Sequence, residues 1–338
     1  MNIRRAIRYF GISDWVVYLL KIRRWGYLDV CPTWKCNAKC PTCSSWKRER
    51  SELSKAQVEQ LATSKHFKYI GTVFIEGGEP TLWTHLEYFV RLFLDNHRYT
   101  NINIITNGFN SERIARFVQT FEKDKKRIKF YLSFNGDKKT HDESRGVERA
   151  YERALESAKI IYGAGYFIQF SSVTFDQNID QADHVFKIAE QYGGRVNFCW
   201  PSISGRFAND GEWTTNRKEE IKTVLNRQTS RLSLFDRLAS DYYVKKSTTG
   251  KLMPCYAGYR YVHINPQGIL RPCLFDESMA FGKVKNTGVD LYNFKATVKG
   301  IPEKCQYTDG SLCDDCLIRR SIRSNPLKYI GGKLWSRL

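Results

Sequence analysis

Cys36-Asn37-Ala38-Lys39-Cys40-Pro41-Thr42-Cys43 sets three cysteines at C-x3-C-x2-C spacing on a short loop. Directly before it, Tyr27-Leu28-Asp29-Val30 reads as a buried strand, so the thiols belong at a strand's C-terminal end. Three thiolates can hold three irons of a [4Fe–4S] cube and leave the fourth iron open. An open iron can bind and activate a small molecule, whereas a fully ligated one only passes electrons. The same spacing also accommodates a zinc site short of one ligand, or three free cysteines in a packed interior.

Outward from this loop the pattern alternates strand and helix. Strands are expected at Tyr27–Val30, Thr72–Ile75, Asn101–Thr106, Lys129–Phe134, Ile168–Thr174 and Val196–Trp200. Between them, Ser54 with Gln57 makes a capping box ahead of Val58 and Leu61. Helical stripes follow at Leu86/Phe89/Val90/Phe93, Ile114/Phe117/Val118, Ala150/Ala154/Leu155/Ala158/Ile161 and Val185/Phe186/Ala189. Six strand–helix units in succession predict a parallel α/β structure with its chemistry on the loops at the strands' C-terminal ends. The second such loop reads Glu76-Gly77-Gly78-Glu79-Pro80, where two glycines let backbone approach a ligand beside a carboxylate. Alone that stretch is a turn; one unit after the cysteine loop it shares a rim with it.

C-x3-C-x2-C followed by Gly-Gly-Glu-Pro resembles the radical S-adenosylmethionine (radical SAM) superfamily. Ile105-Thr106-Asn107-Gly108 looks like the end of that family's third strand. Leu132-Ser133-Phe134-Asn135-Gly136, His141-Asp142 and Arg145-Gly146 resemble its fourth-strand block. Val173-Thr174 with Asn178, and Pro201 with Gly205-Arg206, resemble the fifth and sixth strand ends. Two positions depart from the pattern: Thr42 stands where an aromatic is common, and Asn135 stands where an acid is usual. The resemblance implies a [4Fe–4S] cluster on Cys36, Cys40 and Cys43, with S-adenosylmethionine on its open iron. It implies Gly77, Gly78 and Glu79 at the amino group of that cofactor, and Ser133, Asn135 and Arg145 at its ribose and carboxylate. A one-electron reductant such as flavodoxin or ferredoxin would drive cleavage to a 5′-deoxyadenosyl radical, which takes a hydrogen atom from the substrate. Arg145 reads equally well as a surface ion-pair residue.

A second cysteine group comprises Cys255, Cys273, Cys313 and Cys316. His263-Ile264-Asn265-Pro266-Gln267-Gly268 reads as a strand, a tight turn and a return strand that brings two of them together. Four thiolates make a closed site, a structural zinc on spacing alone. The arrangement also resembles the SPASM/twitch auxiliary-cluster domains of radical SAM enzymes, which implies one auxiliary [4Fe–4S] cluster there. Cys31 and Cys199 read as buried thiols, and Cys305 as a stand-in for one of the four ligands.

The expected fold class is α/β: a partial (β/α)6 TIM-like barrel, then a small C-terminal β-hairpin, cysteine-rich auxiliary-cluster domain. Its parts are a basic amphipathic segment at 1–25, the barrel at 26–206, bridging helices at 207–250, the auxiliary domain at 251–320 and a basic tail at 321–338. A chain of 338 residues that is 42% hydrophobic can bury such a core. Its apolar runs are too short to span a bilayer, and ten cysteines without an export signal point to metal ligation in the cytoplasm.

Charge is uneven. Residues 1–24 carry six Lys/Arg against one Asp, and 317–338 carry six with no acid, within a total of +19. These ends favour an anionic partner: a phosphorylated substrate, an RNA backbone or a membrane surface to which the protein is peripheral. Only some 26 residues precede the first strand, which weighs against a separate peptide-binding domain and so against a peptide-modifying maturase. A fully ligated second cluster favours dehydrogenation or oxidative bond formation over isomerisation. A reading from another class, a zinc-stabilised nucleic-acid-binding protein without catalysis, explains the charge but not the three-cysteine loop beside Gly77-Gly78-Glu79.

Overall fold

The computed structural model describes residues 25–199, 213–214, 216–229, 257–274 and 277–294. Strands β1 (Tyr27–Val30), β2 (Thr72–Ile75), β3 (Asn101–Thr106), β4 (Ile128–Ser133), β5 (Phe167–Val173) and β6 (Arg195–Cys199) pair in chain order, all parallel. The first three match the sequence reading; β4, β5 and β6 each begin one residue earlier than expected. Crossovers carry α1 (Lys55–Thr63), α2 (Leu86–Asn96), α3 (Ser111–Thr120), α4 (Lys138–Arg145), α5 (Ala150–Gly163) and α6 (Ala182–Gln191), and α7 (Lys218–Thr229) lies against β6. This is the partial barrel that six strand–helix units predict. No helix among the described residues is long and apolar enough to cross a membrane.

Alternation along the strands separates two faces. Val73, Ile75, Ile128, Phe130, Leu132, Ile168 and Phe170 are buried beneath the helices. Their stripes are Leu86/Phe89/Val90/Phe93, Ile114/Phe117/Val118 and Val185/Phe186/Ala189, buried as the periodicity predicts. Each such large side chain contributes about 1.5–3 kcal/mol on burial. The opposite, inner face is polar and half-buried, with Lys129, Tyr131, Ser133, Gln169 and Ser171 in neighbouring rows. It therefore lines a lumen rather than a core. The expected capping box at Ser54 and Gln57 starts α1.

The C-terminal hairpin forms, with β7 (Tyr261–Ile264) antiparallel to β8 (Ile269–Arg271) across a turn in which Asn265 Oδ1 accepts from the Gln267 and Ile269 N–H groups. It is not detached from the barrel. β7 pairs parallel with β1, Asp29 opposite His263, and β8 continues through β9 (Gly282–Lys285) to β10 (Gly288–Leu291). One ten-stranded sheet results, in the order β10-β9-β8-β7-β1-β2-β3-β4-β5-β6. The basic segments at both termini, the stretch Leu232–Leu238, and Cys255, Cys305, Cys313 and Cys316 lie outside the described residues.

Candidate active site

The cysteine loop leaves β1 in contact with three other elements. Its entry is held by Cys31 N–H on Ile264 O at 2.9 Å, and its middle by Lys39 N–H on Arg145 O at 2.8 Å. Cys43 N–H donates to Cys40 O at 3.2 Å, a turn that folds the C-x2-C end back on itself. Cys36, Cys40 and Cys43 are free and half-buried. Cys36 Sγ accepts from Ala38 N–H at 3.4 Å, and Cys40 Sγ lies 3.8 Å from Arg145 Nη1.

The Gly-Gly-Glu loop lies along this one as a continuation of the β1–β2 ladder. Glu76 N–H donates to Val30 O at 2.9 Å, Gly78 N–H to Thr33 O at 2.9 Å and Glu79 N–H to Lys35 O at 2.8 Å. Backbone approaches this closely only because 77 and 78 are glycines. Gly77 has φ +125°, and a Cβ on Gly78 would meet Lys35 O at 2.2 Å.

Glu79 turns inward and is 1% exposed. Its Oε1 accepts from Thr81 N–H at 3.1 Å, Thr81 Oγ1 at 2.8 Å and Thr106 Oγ1 at 2.6 Å; its Oε2 accepts from Asn107 N–H at 2.8 Å. Burial pushes this carboxyl above the ordinary range, and those hydrogen bonds oppose the shift. Asn107 Nδ2 reaches on to Asn37 Oδ1 at 2.8 Å, so β2, β3 and the cysteine loop are braced through one carboxylate. Thr81, Thr106 and Asn107 were not legible as a network, because hydrogen bonding between loops leaves no local periodicity.

Arg145 is the last residue of α4, followed by Gly146 in the left-handed region at φ +60°, where a Cβ would sit 2.3 Å from Lys39 O. Arg145 thus faces the cysteine loop and makes no ion pair among the described residues. Ser133 is half-buried on the inner face at the end of β4. Asn135 is buried, its Nδ2 donating to Ser144 Oγ at 3.1 Å and its Oδ1 accepting from Val173 N–H at 3.3 Å. Both ends of that amide brace β4 against α4 and β5. Cys31 is fully buried; Cys199 is only half-buried, because β6 turns it to the inner face. Cys273 follows β8 and is half-buried.

The donor set suits an iron–sulfur cluster. Burial, with Glu79 next, pushes the Cys36 thiol up to about 12, and burial raises Cys40 against the pull of Arg145. Such thiols stay protonated unless a metal cation stabilises the thiolate, and soft thiolates select Fe–S or zinc. Three cysteines on one loop after β1 make an incomplete shell of the kind a site-differentiated cluster uses.

Residues 30–206, just over half of the chain, match the Radical SAM superfamily. The chain is similar to the GTP 3′,8-cyclase of Aliarcobacter butzleri, 24% identical over 307 residues that cover 85% of this chain and 93% of that protein. It is similar to the PqqA peptide cyclase of Granulibacter bethesdensis, 24% identical over 304 residues, 82% of this chain and 78% of that one. In fold it resembles native anSMEcpe with bound AdoMet and Cp18Cys peptide, at a TM-score of 0.59 and 15% identity, covering 90% of this chain and 98% of the other.

Proposed function

The chain belongs to the radical SAM superfamily, a family of enzymes, and on that premise we propose that it abstracts a hydrogen atom from an anionic, phosphate-bearing substrate. Cys36, Cys40 and Cys43 would hold a [4Fe–4S] cluster. Gly77, Gly78 and Glu79 would receive the amino group of S-adenosylmethionine, with Oε2 of Glu79, which accepts one hydrogen bond from the described residues, as the acceptor. Ser133 and Arg145 would contact the ribose and carboxylate, whereas Asn135 would act by positioning the elements around them. When bound, cluster and S-adenosylmethionine supply the 5′-deoxyadenosyl radical that takes the hydrogen atom.

The observation that carries this reading is the pairing of the two loops, Gly78 on Thr33 and Glu79 on Lys35, which fixes the thiol loop against the glycine cradle. Support for an anionic substrate comes from the inner face. Lys129 Nζ lies over the half-buried Phe167 ring at 5.2 Å and adds positive charge to that face. The likeness to a GTP cyclase agrees with it. Cys273, with Cys255, Cys313 and Cys316, would hold an auxiliary [4Fe–4S] cluster in a SPASM/twitch-like domain. A fully ligated cluster held there would supply an electron acceptor, which favours an oxidation over an isomerisation. Flavodoxin or ferredoxin would supply the reducing electron, in a cytoplasmic setting that includes the membrane periphery. A second reading, modification of a peptide, is favoured by the likeness to PqqA peptide cyclase.

Anaerobic reconstitution tests the core of the proposal. About eight irons per chain are expected, and about four in a Cys36→Ala/Cys40→Ala/Cys43→Ala variant, with 5′-deoxyadenosine formed by the wild type alone. About four irons in the wild type and none in the variant, with zinc present, would keep the radical chemistry and make the C-terminal site a structural zinc site. No iron and no 5′-deoxyadenosine in the wild type would remove the radical reading. Incubation with nucleoside triphosphates against peptides then separates the two substrate classes by which one loses hydrogen.

A further inference from the structure

We propose that Asp29, Glu76 and His263 form a divalent-cation site in the barrel lumen, and that the ion carries an anionic oxygen of the substrate. The inference rests on the reading of a phosphate-bearing substrate and names how that phosphate is held. Asp29 on β1 and His263 on β7 stand directly opposite each other in the parallel ladder. Asp29 also pairs with Phe74 on β2, and Glu76 follows on the same face two residues later, directly before Gly77-Gly78. Asp29 and His263 are each 3% exposed, and Glu76 is half-buried at the strand's end. One ligand atom from each of the three lies within 4.8 Å of the others.

The geometry fits a shared ion better than a direct contact. His263 Nδ1 stands 3.5 Å from Asp29 Oδ2. That separation is too long for a good hydrogen bond, but two ligands of one ion at about 2.1 Å each lie roughly 3.0–3.5 Å apart. Tyr261 donates its hydroxyl to the same Asp29 oxygen, the kind of outer partner that orients a ligating carboxylate. A separate observation marks this level of the lumen as built for a polar occupant. Asn103, reached through Phe74 in the same cross-strand row, is 4% exposed, and its Oδ1 has no hydrogen-bond partner among the described residues.

The electrostatics point the same way. Two carboxylates this close repel each other, and both repel a phosphate entering the lumen. Lys129 lies in the same row but on β4, three strands from Asp29, with its ammonium over the Phe167 ring. A divalent ion at Asp29, Glu76 and His263 converts both repulsions into attractions. Two carboxylates and one imidazole suit a first-row ion such as Mn2+ or Fe2+. Three protein ligands leave the remaining octahedral positions to water and substrate oxygen.

The test uses the full chain with its iron–sulfur content reconstituted and adventitious metal removed by chelator. Mn2+ is titrated in, and the free ion is read from its six-line EPR signal. The expected result is one Mn2+ per chain with a dissociation constant below about 1 mM, weakened at least about tenfold in Glu76→Gln and in Asp29→Asn. The exposed control Asp290→Asn should bind as the wild type does. Glu76 sits at the rim, so Glu76→Gln carries the test if Asp29→Asn fails to melt cooperatively. Bound Mn2+ should then broaden the 31P line of inorganic phosphate in the wild type and not in Glu76→Gln. Equal binding in wild type and Glu76→Gln, no Mn2+ bound at all, or bound Mn2+ that leaves the 31P line unbroadened would each overturn the proposal. Formation of 5′-deoxyadenosine in the same samples reports separately on the radical reading.

Discussion

Gly78→Ala adds one methyl group at the seam between the cysteine loop and the Gly-Gly-Glu loop. Its Cβ would lie 2.2 Å from Lys35 O, 2.7 Å from Lys35 C and 2.7 Å from Trp34 O. All three are backbone atoms, so no side chain can swing aside. Ordinary contact begins at 3.4 Å, and the two loops must therefore part by roughly 1 Å. The seam's own hydrogen bonds, Gly78 N–H on Thr33 O at 2.9 Å and Glu79 N–H on Lys35 O at 2.8 Å, would stretch past useful length. Overpacking of this kind costs about 1–3 kcal/mol, which the fold can absorb. A 1 Å displacement beside a reacting centre costs about 100-fold in rate. The expected outcome is a folded, iron-loaded protein that forms 5′-deoxyadenosine about 100-fold more slowly under dithionite. Gly163→Ala is the matched control: it closes α5, nothing lies within 4 Å of its Cβ, and a gain of up to about 1 kcal/mol is expected. If Gly78→Ala makes 5′-deoxyadenosine at the wild-type rate with an unchanged melting temperature, the close approach of the loops is not what the chemistry needs.

Other expectations test the brace around the site. Thr106→Val removes a 2.6 Å bond to buried Glu79 and a 3.0 Å bond from Gly108 N–H; a loss of about 1–3 kcal/mol should appear in thermal melts. Asn107→Ala cuts the 2.8 Å link to Asn37 on the cysteine loop, and should slow S-adenosylmethionine cleavage about 10–100-fold at unchanged iron content. His141 is fully buried, and burial, with Arg145 second, holds its imidazole well below the ordinary value of 6.5. The unfolded chain therefore takes up a proton below about pH 6.5 that the folded chain refuses, so this contribution is complete above that pH and is lost as pH falls. His141→Gln keeps an acceptor for Asn135 N–H and should flatten the fall in urea midpoint between about pH 7 and about pH 5.5; an unchanged slope would locate the acid sensitivity elsewhere.

Much of the barrel is written locally. Strand periodicity placed β1, β2 and β3 to the residue, and the apolar stripes of α2, α3 and α6 marked the faces they bury, because alternation and helical spacing report on a few neighbouring side chains. The C-x3-C-x2-C and Gly-Gly-Glu stretches were legible as site loops for the same reason: each is contiguous, and each follows a strand. Pairings across long separations left no such trace. Nothing near Tyr261–Ile264 says that this strand docks beside β1, since the hydrogen-bonding edge of a strand is the same for every partner; only the closed tertiary packing selects it. Two site residues show the same dependence on long-range contacts. Asn135 was read as a cofactor contact, but β4, α4 and β5 converge on its amide and engage both ends. Glu79, expected at the cofactor's amino group, is held by Thr81, Thr106 and Asn107, a brace that no local pattern announces.

The sequence by itself determined the order of strands and helices, the loop that carries three thiols and the glycines that must lie against it, since all of these depend on residue type over a handful of positions. The tertiary structure alone decided which loops touch, where Glu79 points, and that Asp29, Glu76 and His263 share one corner of the lumen. Those three come from strands far apart in the chain, and their proximity arises from sheet register, which is set by the packing of the whole barrel.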